Sequence, residues 1–223
     1  MKKGDFVKVS FTGRADGMVI DTTEEDVAKK EGVYDSKREY KPIAVVVGEG
    51  MILPGMDKAL EDLTVGKSKK VKLKPAEAFG ERDPKMVQLV PIREFKKQNI
   101  NPVPGMVMNI EGRPAKIQAV SGGRVRVDFN HLLAGKEVDY DIKVVGEAKT
   151  DKEKVTYLAE KNFRQDVPAK AEGTGAKKKL VVEIPEKLRS ERALVAMKAG
   201  FFADASKILG FNEVDFVESW VKK

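Results

Sequence analysis

The stretch KPIAVVVGEGMILPGMDKALEDLTVGK, Lys41 to Lys67, packs a β-branched apolar run, a glycine-bounded turn and a short amphipathic helix into one segment. Ile43 to Val47 reads as a strand, and the glycines that follow end it. Met56, Leu60 and Leu63 then recur at helical spacing, with Gly66 standing where a left-handed helix terminator is expected.

Strands surround this segment on both sides. Upstream, Val7, Val9 and Phe11 alternate with Lys8 and Ser10, a half-buried strand, before the Asp16-Gly17 turn and the segment MVIDTT. The charged stretch from Glu24 to Lys41 lacks periodicity and reads as an excursion between strands. Downstream, KSKKVKLKP alternates Val71 and Leu73 with lysines. VDYDIKVV sets Val138, Tyr140, Ile142 and Val144 against Asp139, Asp141 and Lys143, the clearest amphipathic strand of the chain.

A different texture fills the interval from about Pro84 to Asn130. Pro104-Gly105, Glu111-Gly112 and Gly122-Gly123 punctuate three short apolar alternations, which read as three strands joined by turns. The sequence therefore predicts an α+β unit, 1–83 and 131–150, interrupted by a small β-rich unit at 84–130. A third, α/β unit is expected at 151–223: a helix from Asp151 to Phe163, a strand from Lys179 to Ile184, and a helical stripe through Leu188, Leu194, Met197, Phe201, Ala205 and Ile208. EVDFVESWV closes it as a strand, and KAEGTGAKKK reads as a flexible turn.

Composition narrows the chemistry. The 223 residues include no cysteine and one histidine, His131, which excludes disulfides, thiol catalysis, cysteine-ligated clusters and multi-histidine metal sites. No metal or other cofactor is expected. No apolar run approaches the roughly 20 residues that span a bilayer, and the start lacks a secretory h-region, so a cytoplasmic protein without a membrane partner is expected. The net charge of +7 is scattered rather than gathered, and a nucleic-acid partner is not expected from it. Neither a G-x-S-x-G elbow nor a phosphate-binding GxxxxGK[ST] loop is present, so a function that works without these groups is favoured.

Taken in order, VSFTGRADGMVIDTT, the stretch from Lys41 to Lys67, KVKLKPAEAFGERDP and VDFNHLLAGKEVDYDIKVVGE resemble the FKBP family of peptidyl-prolyl isomerases over roughly residues 4 to 150. The likeness is to the SlyD-like branch, which carries a chaperone domain in the flap, and within it to long archaeal members with an added C-terminal domain. It implies an antiparallel sheet wrapped on a short helix. It also implies pocket positions: Phe11 as an aromatic wall, Ile20 and Asp21 at the rim, and Ile43 and Ile52 as apolar lining. Leu53 would offer a backbone N–H to the substrate carbonyl, Met56 would form the floor, Phe79 the flap approach and Tyr140 an aromatic on the closing strand. Asp21, Leu53, Phe79 and Tyr140 are the catalytic candidates. Phe11 and Phe79 lack a hydroxyl that many relatives carry, and Met56 replaces a flat ring.

Such residues suit the reaction. Rotation about an X-Pro bond faces a barrier of about 18–20 kcal/mol because amide resonance is lost, and a dry apolar pocket favours the less polar twisted amide. Asp21 either orients the pocket or acts electrostatically on that amide; a turn or helix cap is its alternative use. In the insert, Met86, Leu89, Met106 and Met108 are expected to hold unfolded, proline-containing clients, since methionine adapts to many partners and a unit this small has little core to spare. The tail is expected to support a homodimer or extra client surface. A non-enzymatic chaperone or peptide-binding module on an FKBP-like fold is the alternative function. His131, in NHLLAG at the return from the insert, is expected to pack or hydrogen-bond rather than act as a base.

Overall fold

A computed structural model describes residues 1–173 and 178–220, so the middle of the expected turn, 174–177, and the last residue of EVDFVESWV lie outside the described residues; residues 170–172 and Lys179 of that turn belong to strands, and the closing strand ends at Val217. The chain forms two compact units, one of residues 1–14, 18–71 and 140–223 and the other of residues 15–17 and 72–139.

The first unit opens with β1 (Phe6–Ala15) and β2 (Met18–Thr22), followed by a short helix α1 (Glu25–Lys30), β3 (Ile43–Val46), α2 (Pro54–Leu60) and β4 (Ser68–Leu73). In the second unit, β5 (Val87–Pro91) and α3 (Ile92–Lys97) precede β6 (Val107–Ile110), β7 (Arg113–Ser121) and β8 (Arg124–Asp128). The chain then continues through β9 (Val138–Ala148), α4 (Asp151–Phe163), β10 (Ala169–Glu172), β11 (Lys179–Glu183), α5 (Glu186–Arg189), α6 (Leu194–Leu209) and β12 (Glu213–Val217). Among the described residues no helix is long and apolar enough to cross a membrane.

The α+β class expected from the pattern is what forms. Five strands make one sheet, in the order β2-β1-β9-β4 with β3 added antiparallel to β1. Strand β1 is buried nearly throughout rather than on alternate residues, because its second face is covered too: Phe6 packs in the cluster of Val155 and Leu158, Lys8 pairs with Glu160, and Ser10 and Thr12 bond Thr23 and Thr22. On β9 the alternation does hold, with Val138, Tyr140, Ile142 and Val144 all buried.

Several local expectations change. The excursion after Glu24 contains α1, which buries only Ala28 and closes with a 2.6 Å Glu25–Lys29 pair; one buried residue leaves no periodic signal to read. Helix α2 stops at Leu60, so Gly66 is no helix terminator. It takes φ +84° in the turn before β4 and donates its N–H to the Val144 carbonyl at 2.8 Å. The stripe from Leu188 to Ile208 is split into α5 and α6 by the polar Ser190-Glu191-Arg192 turn, where the Glu191 and Leu194 N–H groups bond back three residues.

The segment after residue 150 shares a core with the sheet instead of standing alone. Phe6, Val46 and Ala148 pack in one cluster with Val155, Leu158, Phe163, Phe201 and Phe211. Helix α4 starts cleanly because Thr150 and Glu153 form a reciprocal capping box. The second unit has its own core of Phe95, Ala115, Ile117, Val125 and Val127 under a four-stranded antiparallel sheet, β5-β8-β7-β6. Three strands were legible there; β5 was not, because Pro91 ends it and Leu89 on it faces outward at 57% exposure.

Candidate active site

Tyr140 organises the first unit's site. Strand alternation turns its ring inward, and Gly13 on β1 makes the room: a β-carbon at Gly13 would stand 2.5 Å from Tyr140 Cε1. Phe11, two residues away on β1, meets the same ring with centroids 5.8 Å apart and planes tilted by 57°. Burial, with the Asp21 carboxylate as a second cause, pushes the Tyr140 hydroxyl up to about 12, so it stays protonated at neutral pH and can donate but not act as a base.

Asp21 stands near the end of β2, half-exposed, with Arg38 Nη2 2.6 Å from its Oδ1. The pair lacks hydrogen-bond alignment, and that buried oxygen has no aligned donor among the described residues. Asp21 does not cap α1. Among the described residues α1 has no side-chain cap; the Thr22 hydroxyl accepts from the Glu24 N–H at 3.1 Å, and Ser10–Thr23 and Thr12–Thr22 hydroxyl bonds of 2.9 and 2.8 Å lace the end of β2 and the residue after it to β1. Sequence reasoning missed Gly13 and these threonine hydroxyls; a glycine inside an alternating strand was the available signal for the first.

Ile52, Leu53 and Met56 gather at the start of α2. Met56 is buried, Ile52 and Leu53 are half-buried, and Leu53 is the residue before the helix, extended at ψ 138°. Its carbonyl accepts from the Asp57 N–H at 2.9 Å, while the Leu53 N–H has no partner among the described residues. Asp57, which the sequence reading passed over, fixes this corner: its buried carboxylate accepts from the Gly48 N–H at 2.8 Å and the Gly50 N–H at 3.2 Å. Asp57→Ala leaves those donors short of an acceptor and is expected to lower stability by about 1–3 kcal/mol. A urea melt checks this, and an unchanged midpoint would remove Asp57 from the scaffold.

The remaining sites lie in the second unit. Phe79 stacks face to face on His131, with centroids 4.7 Å apart and planes at 2°, and His131 Nδ1 accepts from the Leu133 N–H at 3.2 Å. The histidine thus packs and hydrogen-bonds. Met106 and Met108 are half-buried against the insert's own core, Met86 is half-buried, and Leu89 is exposed.

Asp128 holds the base of the insert. Its carboxylate is paired with Arg82 and accepts from Asn130 Nδ2 at 2.7 Å and from Gln118 Nε2 at 3.0 Å. Gln118 is the unpaired residue at the register shift in β7. Burial raises the Asp128 carboxyl, but the Asn130 and Gln118 hydrogen bonds and the Arg82 charge outweigh it and hold it below its ordinary value. A lowered carboxylate stabilises the fold above the unfolded value and loses that contribution as pH falls through the folded one. The insert is therefore expected to weaken below about pH 4, and Asp128→Asn to flatten that acid limb in denaturant melts from pH 2.5 to 6. An unaltered limb would take Asp128 out of the explanation.

Comparison with known proteins adds to this geometry. A family model described as "FKBP-type peptidyl-prolyl cis-trans isomerase" matches residues 1–96, and one described as "FKBP26, IF domain" matches residues 88–133. A "Short-type peptidyl-prolyl cis-trans isomerase" of Methanocaldococcus jannaschii is 42% identical over 144 residues, covering 65% of this chain and 92% of that protein. The chain belongs to the FKBP-type peptidyl-prolyl cis-trans isomerase family. Among its relatives, an "FKBP-type peptidyl-prolyl cis-trans isomerase SlyD" of Pasteurella multocida is 33% identical over 59% of this chain and 68% of its own. A "Probable FKBP-type 16 kDa peptidyl-prolyl cis-trans isomerase" of Pseudomonas fluorescens is 30% identical over 50% and 76%. Neither family model extends past residue 133.

As an FKBP-type isomerase of the SlyD-like kind, the protein catalyses a rotation in which no bond is made or broken. What its fold has to supply is a dry surface for the twisted amide and a fixed donor for the carbonyl, since only interactions stronger in the twisted state than in the planar one raise the rate. Phe11, Met56 and Tyr140 are buried apolar surface, and Ile20, Asp21, Ile43, Ile52 and Leu53 are all partly exposed.

Proposed function

We propose that the isomerase acts on proline-containing segments of unfolded polypeptides, and that its insert, about residues 84–130, holds those clients as a chaperone. The reading places a proline ring against Phe11, Met56 and Tyr140, with Ile20, Ile43 and Ile52 as the partly exposed lining. The Leu53 N–H donates to the substrate carbonyl, and Asp21 acts on the twisting amide through its charge. The observation that carries it is the pairing of buried aromatic surface at Phe11 and Tyr140 with the nearby, incompletely satisfied Asp21 carboxylate.

Support for client holding comes from the insert's apolar exposure. Leu89 and Val107, at 57% and 52% exposed, stand on the two edge strands β5 and β6, where unpaired backbone can also accept an extended chain. The half-buried Met86, Met106 and Met108 would add adaptable contacts. The test pairs two assays on the full chain: turnover of a short proline peptide and suppression of aggregation of a denatured client. Leu89→Ser with Val107→Ser is expected to leave the first unchanged and weaken the second by about tenfold. Equal holding by the variant would assign the client surface elsewhere.

The same proposal includes a cytoplasmic setting, consistent with a chain that has no cysteine, and a homodimer through the C-terminal region, where Val195 and Trp220 are 79% and 76% exposed. A monomer in sedimentation at micromolar concentration would remove the dimer.

A further inference from the structure

Beside Ile43 the first unit has a cavity of about 660 Å³, formed by residues of 37–45 together with the end of α4. Five cationic side chains line it, Lys37, Arg38, Lys41, Lys161 and Arg164, against two carboxylates, Glu39 and Glu160. Both carboxylates are already neutralised, Glu39 by Lys41 at 2.7 Å and Glu160 by Lys8 at 2.8 Å. Arg38 is engaged by Asp21 and Lys161 by Asp204. Lys37 and Arg164 have no carboxylate partner among the described residues, so the cavity keeps an uncompensated positive charge.

This wall is built rather than loose. Asp35 accepts from the Lys37 N–H at 2.9 Å through its side chain and from the Arg38 N–H at 3.1 Å through its carbonyl, and its own N–H donates to Tyr40 Oη at 2.9 Å. Tyr40 in turn stacks on Tyr34, with centroids 5.5 Å apart. On the opposite side, Arg164 sits at the end of α4 with φ +60°, a conformation that costs a β-carbon-bearing residue about 1–2 kcal/mol and that glycine adopts freely. Two residues join the cavity to the reaction site: Ile43 lines it directly, and Arg38 reaches from it to Asp21.

We propose that this cavity receives carboxylate side chains of the substrate chain on one side of the proline, so that the isomerase prefers acidic segments. The proposal rests on the reading of Asp21 and Ile43 as the rim of the proline pocket. A client docked there would place its acidic residues beside Lys37 and Arg164, where the attraction is partly screened and therefore modest and salt-dependent.

Full-length protein is assayed with paired proline peptides that differ only in carrying two glutamates or two glutamines, on either flank of the proline. The expected result is a kcat/KM about threefold to tenfold higher for the glutamate peptide on one flank at low salt, collapsing at about 0.5 M salt. Lys37→Gln with Arg164→Gly is expected to abolish that preference and leave the glutamine peptide unchanged. Because glycine suits φ +60°, the double variant should melt no lower than the parent, which separates lost recognition from lost folding. Equal turnover of both peptides on both flanks, or a preference that survives the double variant, overturns the proposal while leaving the pocket reading in place. Failure of every peptide to turn over overturns the pocket reading and the proposal with it. Inhibition by RNA that exceeds inhibition by the glutamate peptide overturns it in favour of a nucleic-acid contact.

Discussion

Replacing residues 84–129 with a short Gly-Ser linker is expected to leave short-peptide isomerisation within about threefold of the parent while slowing catalysed refolding of a proline-limited protein about a hundredfold. The asymmetry follows from what each substrate needs. A short peptide finds the pocket by diffusion alone, whereas a protein client held by the insert presents its prolines at an effective concentration that multiplies turnover by factors on the order of 10² to 10⁴. The cut is chosen from the hydrogen bonds: the Asp83 N–H donates to Asn130 Oδ1 and Asn130 Nδ2 donates to the Asp83 carbonyl, each at 2.9 Å, so the two ends already meet and a linker need only close the gap. The insert's core, from Phe95 to Val127, leaves as a whole. Deletion does remove Asp128 and its pair with Arg82, so a thermal melt accompanies the kinetics. Refolding catalysis that stays at the parent's level in a folded deletion variant would sink the client-holding reading and leave the isomerase reading untouched.

How much of this was legible in advance divides along physical lines. Alternation on β9 announced Tyr140 correctly because a strand with one wet face must alternate, and the same rule under-read β1, whose second face is covered, with Ser10 and Thr12 buried in hydroxyl bonds to Thr23 and Thr22. Helix α4 spans the residues expected for it, and the capping box of Thr150 and Glu153 fixes its start. Helix α6 was legible as a stripe but not as a separate element, since Leu188 falls on the same periodicity while the turn between them is polar and local. The boundary expected at residue 150 failed to foresee a shared core because nothing in the spacing of Phe6, Val46 or Ala148 says that Leu158 and Phe163 will pack on them. Long-range contact has no periodic signature. In the site, Phe11, Asp21 and Tyr140 were assigned by resemblance and are brought together by the fold. Asp57 and Gly13, which hold the corner and the ring in place, act through contacts with Gly48, Gly50 and Tyr140 that no local spacing announces.

Gly13→Ala tests that last point through the sign of its effect. A glycine inside a strand ordinarily costs about 0.5–1 kcal/mol relative to alanine, so this substitution would normally stabilise. Here the new β-carbon would lie 2.5 Å from Tyr140 Cε1, 2.6 Å from Cζ and 2.9 Å from the hydroxyl oxygen, well inside contact distance along one whole edge of the ring. The ring has little room to retreat, being buried to 3% exposure with Phe11 beside it. We expect a loss of about 1–3 kcal/mol from this overpacking and, because a displacement near 1 Å in a positioned group can cost about a hundredfold, a fall in kcat/KM of about ten- to a hundredfold. Tyr140→Phe keeps the clashing carbons and should not rescue stability in the double variant; Tyr140→Leu removes them and should restore the stabilising sign, an interaction that a double-mutant cycle reads directly. If Gly13→Ala instead raises the melting temperature and turns over peptide at the parent's rate, the Tyr140 ring is not fixed by β1 and the pocket wall must be sought elsewhere.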